Sequence, residues 1–305
     1  MSGNDVVKTL DLAESAGRSR VLTAKVNHTS GVALEPFPSS LPVAETTLGV
    51  SGDLSLDGWT LNADVDWDSF HPEPYIDDNY RTVRHDDGKI IEHCTGFFER
   101  SVGQTLLSPN ATAVDVGSGA NLYPALMMLP FVANVHLFER GAANVAWLNG
   151  QQGGFDDNWL RFWDRMSPIG HYAQVSHPKR DFAAKAEVIQ GDLFDLPPAK
   201  YDIGTMFFVA ESMSTDEAEF KAALERFIRS LRPSAPFAAA FMEKSHGYKV
   251  DGVLFPACPV DEDIVRLAFD RIALDLDIVR VPYGADDGAL RDGHDAMIVA
   301  TGRAK

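Results

Sequence analysis

Val114-Asp115-Val116-Gly117-Ser118-Gly119-Ala120-Asn121 is the stretch of this chain that decides its fold. The apolar run 111–116 ends at two glycines, and a helical pattern over 121–129 begins at once. A buried strand therefore passes into a helix through a tight turn. Gly117 and Gly119 let the backbone approach a ligand where a Cβ would collide. In a doubly wound sheet, such a turn lies at the carboxyl ends of the strands, where ligands bind.

The same rhythm continues downstream. Residues 135–138, 186–190, 201–208, 237–242, 277–282 and 296–301 read as strands, and 142–149, 217–231 and 261–269 as helices. The stretch 155–185, with Trp159, Phe162, Trp163 and Met166, reads as a helical insertion. Strands alternating with helices imply a mostly parallel sheet covered on both faces. The last two strands are joined by YGADDGALRDGHD, which has no room for a crossover helix, so they should pair antiparallel. Upstream, Ile90, Ile91, Cys94, Phe97, Phe98, Val102 and Leu106 fall on one helical face. WDSFHPEPYIDDNY, from Trp67, is dense in aromatics and prolines. Its proline spacing argues against a long regular helix, and an irregular aromatic segment suits a lid over the sheet end. The alternating runs 21–26 and 54–61 read as weak strands of an accessory arm. Three parts result: an accessory segment 1–66, a lid or cap segment 67–110, and a ligand-binding domain 111–305.

The chain has 305 residues, with 27 Lys+Arg against 44 Asp+Glu, a net charge of −17. Such an acidic surface repels phosphate backbones, so nucleic acid is not expected as a partner. No stretch approaches the roughly 18 unbroken apolar residues of a membrane span, and MSGNDVVKTL lacks a secretory signal pattern. Cys94 and Cys258 make no disulfide framework and read as reduced thiols of a cytoplasmic protein. His71, His85 and His93 have no companions at four-ligand spacing, so no metal site is expected.

Two cofactor classes use a glycine turn of this kind. Dinucleotide binding wants G-x-G-x-x-G, but the third position here is Leu122, whose bulk disfavours a pyrophosphate. S-adenosylmethionine has no phosphate and does not need that glycine. The next strand ends in Glu139, about 20 residues on, where a carboxylate can accept both ribose hydroxyls. Asp192-Leu193, after the third strand, can hold an adenine amino group and a ring face, although Asp192 could instead cap a turn.

These motifs resemble the phenylethanolamine, nicotinamide and indolethylamine N-methyltransferase family, within the class I S-adenosylmethionine-dependent fold. Phe70, Pro72, Tyr75 and Tyr80 fit its opening pattern. Asp115, Gly117, Ser118, Gly119 and Tyr123 fit its glycine loop. Glu139 with Asn144, Asp192, and Phe208, Glu211, Ser214 and Asp216 fit its later motifs. The resemblance implies a Rossmann-like seven-stranded sheet with an antiparallel last strand and an N-terminal lid. It implies that Tyr75, Tyr80 and Tyr123 approach the methionine end of the cofactor and Asn144 its nucleoside region, with Arg140, Leu193 and Phe208 beside them. Trp67 stands at a lid position, Glu211 faces the substrate amine, and Glu211 and Tyr80 are the catalytic candidates. Glu243, His246 and Tyr248, on the rim after the fifth strand, are further substrate candidates. The expected partner is a small methyl acceptor, the expected assembly a monomer or homodimer. Three other readings stay open: transfer to oxygen or carbon, with His246 as base; a nicotinamide oxidoreductase; and a binding protein without chemistry.

Overall fold

Seven strands form the central sheet of the computed structural model, which describes residues 60–104, 107–284, 290, 291 and 293–305. The run 21–26, and all of 54–61 but its last two residues, lie outside the described residues; Thr60 and Leu61 carry no regular structure. Helices α1 (Pro72–Asn79) and α2 (His85–Gln104) precede the sheet. Then come β1 (Thr112–Val116), α3 (Tyr123–Met128), β2 (Asn134–Glu139) and α4 (Ala142–Gln151). The insertion supplies α5 (Asn158–Met166) and α6 (Pro178–Lys185), which leads directly into β3 (Ala186–Gln190). β4 (Ile203–Phe207), α7 (Glu217–Ser230) and β5 (Pro236–Met242) follow. A separate hairpin, β6 (Gly247–Val250) and β7 (Val253–Pro256), precedes α8 (Glu262–Phe269), β8 (Ala273–Pro282) and β9 (Ala296–Ala304).

The strand order is β3-β2-β1-β4-β5-β9-β8. Neighbours from β3 to β5 are parallel, and β9 runs antiparallel to both β5 and β8. This is the expected architecture: a mostly parallel seven-stranded Rossmann-like sheet with an antiparallel last strand. Every residue of β4 and β5 is buried, as an unalternating apolar run requires when both faces of a strand are covered. Alternate residues of β5 enter two apolar layers. Phe237, Ala239 and Phe241 join the side held by Phe220, Leu224 and Phe227 of α7. Ala238, Ala240 and Met242 join the side held by Ile91 and Phe98 of α2 and Trp159 of α5. Asp216 caps α7 by accepting from Ala218 N, and Asp261 caps α8 by accepting from Ile264 N.

The structure departs from the sequence reading in four places. The hairpin was not read; Asp251 and Gly252 turn it with φ of +48° and +81°, the left-handed pair of a type I′ turn. The aromatic segment contains the short helix α1, whose opening prolines cost nothing because first-turn N–H groups have no intrahelical partner. Strand β8 starts earlier than expected, at Ala273, with a register irregularity between Leu274 and Asp277. β4 ends before Phe208, which turns out of the strand with φ of +60°.

Candidate active site

The order of strands reverses at β1, which pairs with β2 on one side and β4 on the other, so a crevice opens at its carboxyl end. The glycine turn fills that crevice's floor. Gly117 N and Ser118 N both donate to Phe138 O, at 2.7 and 3.2 Å. Ser118 Oγ donates to Asp115 O, and Thr205 Oγ1 donates to Asp115 Oδ1 at 2.7 Å. Gly117 and Gly119 have φ of +65° and +51°, a region L side chains rarely adopt. Their surroundings differ. A Cβ on Gly117 would lie 2.6 Å from Val209 Cγ2, so the nearest collision is with the protein and not with a ligand. A Cβ on Gly119 would meet nothing closer than 3.7 Å and would stand beside Asn144.

Glu139 ends β2 and is buried. Its Oε2 accepts from Gly119 N at 2.9 Å, and its Oε1 from Gly141 N at 2.8 Å and Asn144 Nδ2 at 3.4 Å. Burial pushes its pKa up, against the pull of these N–H donors. A carboxylate has about four acceptor positions, so this fixed group keeps capacity for a ligand. Asp192 takes both roles weighed for it. It caps a turn by accepting from Phe194 N, and it lines the cavity, 3.3 Å from the Arg140 guanidinium. Arg140 also donates to Asn62 O.

Aromatic rings roof the other side. Trp67 stacks on Phe255 of the hairpin at 5.7 Å, and Phe255 on Tyr248 at 5.4 Å. Arg291 covers the Tyr248 ring at 4.1 Å. Tyr75 meets Tyr80 edge-on at 5.7 Å, and Trp67 Nε1 donates to Asn62 Oδ1. His71 Nδ1 and Asp251 Oδ2, 2.7 Å apart, tie this segment to the hairpin turn. Burial holds the Tyr80 hydroxyl far above its ordinary pKa, so at neutral pH it is a neutral phenol.

These groups line one crevice, part open to solvent. It brings together Trp67, Tyr75, Tyr80, Gly117, Ser118, Gly119, Glu139, Arg140, Asn144, Asp192, Leu193, Phe208 and Tyr248. Four expected site residues do not line it. Tyr123 is fully buried beneath it, stacked on Phe162 at 5.4 Å and facing Asp87, whose carboxyl is pushed up to about 8 by burial and by Asp86. Glu211 is fully buried one residue behind the wall, its Oε1 accepting from Met242 N at 3.0 Å and Ser212 Oγ at 3.2 Å. Glu243 is engaged by Arg280, whose Nε and Nη2 both donate to Oε2. His246 is exposed outside the cavity.

The sequence reading missed Asn62, Asn121, Ser212 and Arg291, all on the cavity wall. Arg291 is the one arginine of the stretch 283–295, read only as a connector. Asn121 Nδ2 and Asn144 Oδ1, both buried, have no partner in the protein. Unpaired buried polar atoms are costly, and both residues line the cavity. Among the described residues, no group of three His, Cys, Asp or Glu side chains is placed to hold a metal, and no helix is long and apolar enough to cross a membrane. Both cysteines are free and buried.

No family model matches this chain, and no curated protein matches it. Solved structures resemble it in fold. The N-methyltransferase NodS of Bradyrhizobium japonicum WM9, in complex with S-adenosyl-L-homocysteine, has 11% identity and a TM-score of 0.42, covering 75% of this chain and 90% of its own. The 1,6-didemethyltoxoflavin-N1-methyltransferase of Burkholderia thailandensis, bound to 1,6-didemethyltoxoflavin and S-adenosylhomocysteine, has 13% identity and a TM-score of 0.44, covering 72% and 80%. An S-adenosylmethionine-dependent methyltransferase of Clostridium acetobutylicum has 9% identity and a TM-score of 0.45, covering 70% and 91%. The strand order and the antiparallel last strand are themselves those of the Rossmann-like fold of class I methyltransferases.

Proposed function

We propose that this chain is an S-adenosylmethionine-dependent methyltransferase acting on nitrogen of a small amine or N-heterocycle, in the manner of the phenylethanolamine and nicotinamide N-methyltransferases its motifs resemble. The observation that carries this is Glu139, fixed by the N–H groups of Gly119 and Gly141 at the tip of β2 with an acceptor position to spare. Its place suits a ribose hydroxyl. Asn144 and Asn121 offer their unpartnered atoms to the same ligand, Asp192 and Leu193 suit its base, and Tyr75 and Tyr80 suit its amino-acid end. The bound cofactor supplies a methyl group already activated by its positive sulfur. The protein's task is then mainly to place the acceptor's lone pair behind that methyl carbon. Residues 67–80, with Trp67, close this side as a lid. The reading further implies a cytoplasmic enzyme, monomeric or homodimeric, with no nucleic-acid partner.

An alkylamine, with a pKa near a lysine's roughly 10, arrives protonated and must lose its proton. Glu211 can take it only through Ser212, whose hydroxyl donates to Oε1 and also lines the cavity. Burial raises the Glu211 carboxyl to about 6 against the pull of Arg291, so it is ionised and able to accept at neutral pH. Transfer to oxygen or carbon is the runner-up, and the exposed position of His246 does not favour it as the base.

Methyl-labelled cofactor, incubated with enzyme and a mixture of amines, heterocycles and phenols, should label a nitrogen product resolved by mass spectrometry. Labelled phenols alone would favour the runner-up. With an alkylamine acceptor, Glu211→Gln should lower turnover at pH 7 by roughly 10²-fold, the lower range of general-base effects, with recovery at higher pH. The folded pKa lies above the unfolded value of 4.5. The stability Glu211 lends is therefore complete below 4.5 and lost as pH rises through about 6. Above that, the Gln variant should melt no lower than wild type. A lower melting point with unchanged kinetics would make Glu211 structural only.

A further inference from the structure

We propose that the methyl acceptor carries a carboxylate, and that Arg291 is the residue that binds it. This rests on the methyltransferase reading above and narrows its substrate class.

Two arginines line the cavity, and their situations differ. Arg140 is paired with Asp192. Arg291 makes no ion pair among the described residues, in a chain where 44 acidic residues face 27 basic ones. It is nevertheless held in place. One face of its guanidinium lies on the Tyr248 ring, with Cζ 4.1 Å from the centroid. Its Nη1 donates to Ser212 Oγ at 3.0 Å and Ser245 Oγ at 3.3 Å. Both bonds use one nitrogen, and the Nε–Nη2 edge donates to nothing among the described residues. That edge presents two parallel N–H groups, the geometry that takes a carboxylate through two bonds.

The countercharge sits in a second tier. Glu211 is buried behind Ser212, which donates to it while accepting from Arg291. The buried acid thus holds the guanidinium through Ser212 and Nη1, and not through its Nε–Nη2 edge. Topology separates the serines that hold Arg291 from the groups proposed for the nucleoside. Gly119 and Asp192 follow β1 and β3 and Glu139 ends β2, whereas Ser212 and Ser245 follow β4 and β5, on the other side of β1. Arg291 joins them from the connection between β8 and β9. It therefore meets the acceptor half of the crevice.

The test titrates matched pairs into protein saturated with S-adenosylhomocysteine: 3-aminobenzoate and aniline, nicotinate and pyridine, tyrosine and tyramine. The carboxylate member of at least one pair should bind at least tenfold more tightly than the partner that lacks the carboxylate. Arg291→Met should abolish that preference, and Arg291→Lys should keep part of it. No preference in any pair, or a preference that survives in Arg291→Met, would overturn the proposal. A separate arm measures S-adenosylhomocysteine and methylthioadenosine, which lacks the amino-acid tail, on wild type and Arg291→Met. Affinities unchanged by the substitution support the proposal. A loss confined to S-adenosylhomocysteine would assign Arg291 to the cofactor's own carboxylate and overturn it. Wild type that binds neither nucleoside would instead refute the methyltransferase reading itself.

Discussion

Glu139→Ala should weaken S-adenosylhomocysteine binding by at least about tenfold, measured by calorimetry on the folded variant. Each hydrogen bond from a ribose hydroxyl to this charged acceptor contributes roughly 1.5–3 kcal/mol, and 1.4 kcal/mol is tenfold in affinity. One such bond fits the acceptor position that Gly119 N, Gly141 N and Asn144 Nδ2 leave open. A further loss comes from the protein, because Glu139 also receives Gly119 N and Gly141 N. Without it those donors turn to water and the glycine turn loses its brace. Thermal melting of the same variant separates the effects: a binding loss with a small change in melting temperature assigns the carboxylate to the ligand. Unchanged affinity would remove Glu139 from the site.

The second large effect concerns the two glycines, which should fail in different ways. Gly117→Val forces a branched side chain into a left-handed backbone and against Val209, where even a Cβ would come within 2.6 Å. Strain of this kind costs on the order of 1–3 kcal/mol for the backbone alone, and overpacking adds about 1–3 kcal/mol more. The variant should melt well below wild type, and cofactor binding should fall with it. Gly119→Ala meets nothing closer than 3.7 Å, so it should fold with a modest loss of stability. Its methyl group stands beside Asn144 on the cavity wall, and its main effect should be on affinity. Equal melting temperatures for wild type and Gly117→Val would contradict this account of the turn.

The sheet was legible in the sequence because its strands are short apolar runs ending at turn signals, separated by helical periodicity. The pattern is strongest where burial is complete, as in β5. The brevity of the stretch between the last two strands gave the antiparallel end. The β6–β7 hairpin carried a signal too, Asp251-Gly252 between Val250 and Val253, but it lay within a segment read for its polar side chains. The half of the site proposed for a nucleoside was legible for a physical reason: the glycine turn, Glu139 and Asp192 each sit at the end of a strand, and strand ends are readable. The half proposed for the acceptor was not. Glu211 sits within one residue of the wall, yet its side chain is buried against Met242 N, and only the packing of β5 decides that. Arg291 reaches the cavity from a turn-rich connection that has no periodicity to place it. Tyr123 follows the glycine loop as the motif pattern expects, but its helix turns the ring into the core against Phe162.

The central claim is that the crevice at β1 binds a nucleoside with an amino-acid tail and no phosphate. Calorimetric titration of the wild-type protein with S-adenosylhomocysteine, set beside the same titration with a nicotinamide dinucleotide, tests it most directly. Saturable one-site binding of S-adenosylhomocysteine is expected, and none of the dinucleotide, whose fingerprint wants a third glycine where this turn has Leu122. Binding of the dinucleotide without S-adenosylhomocysteine would contradict it.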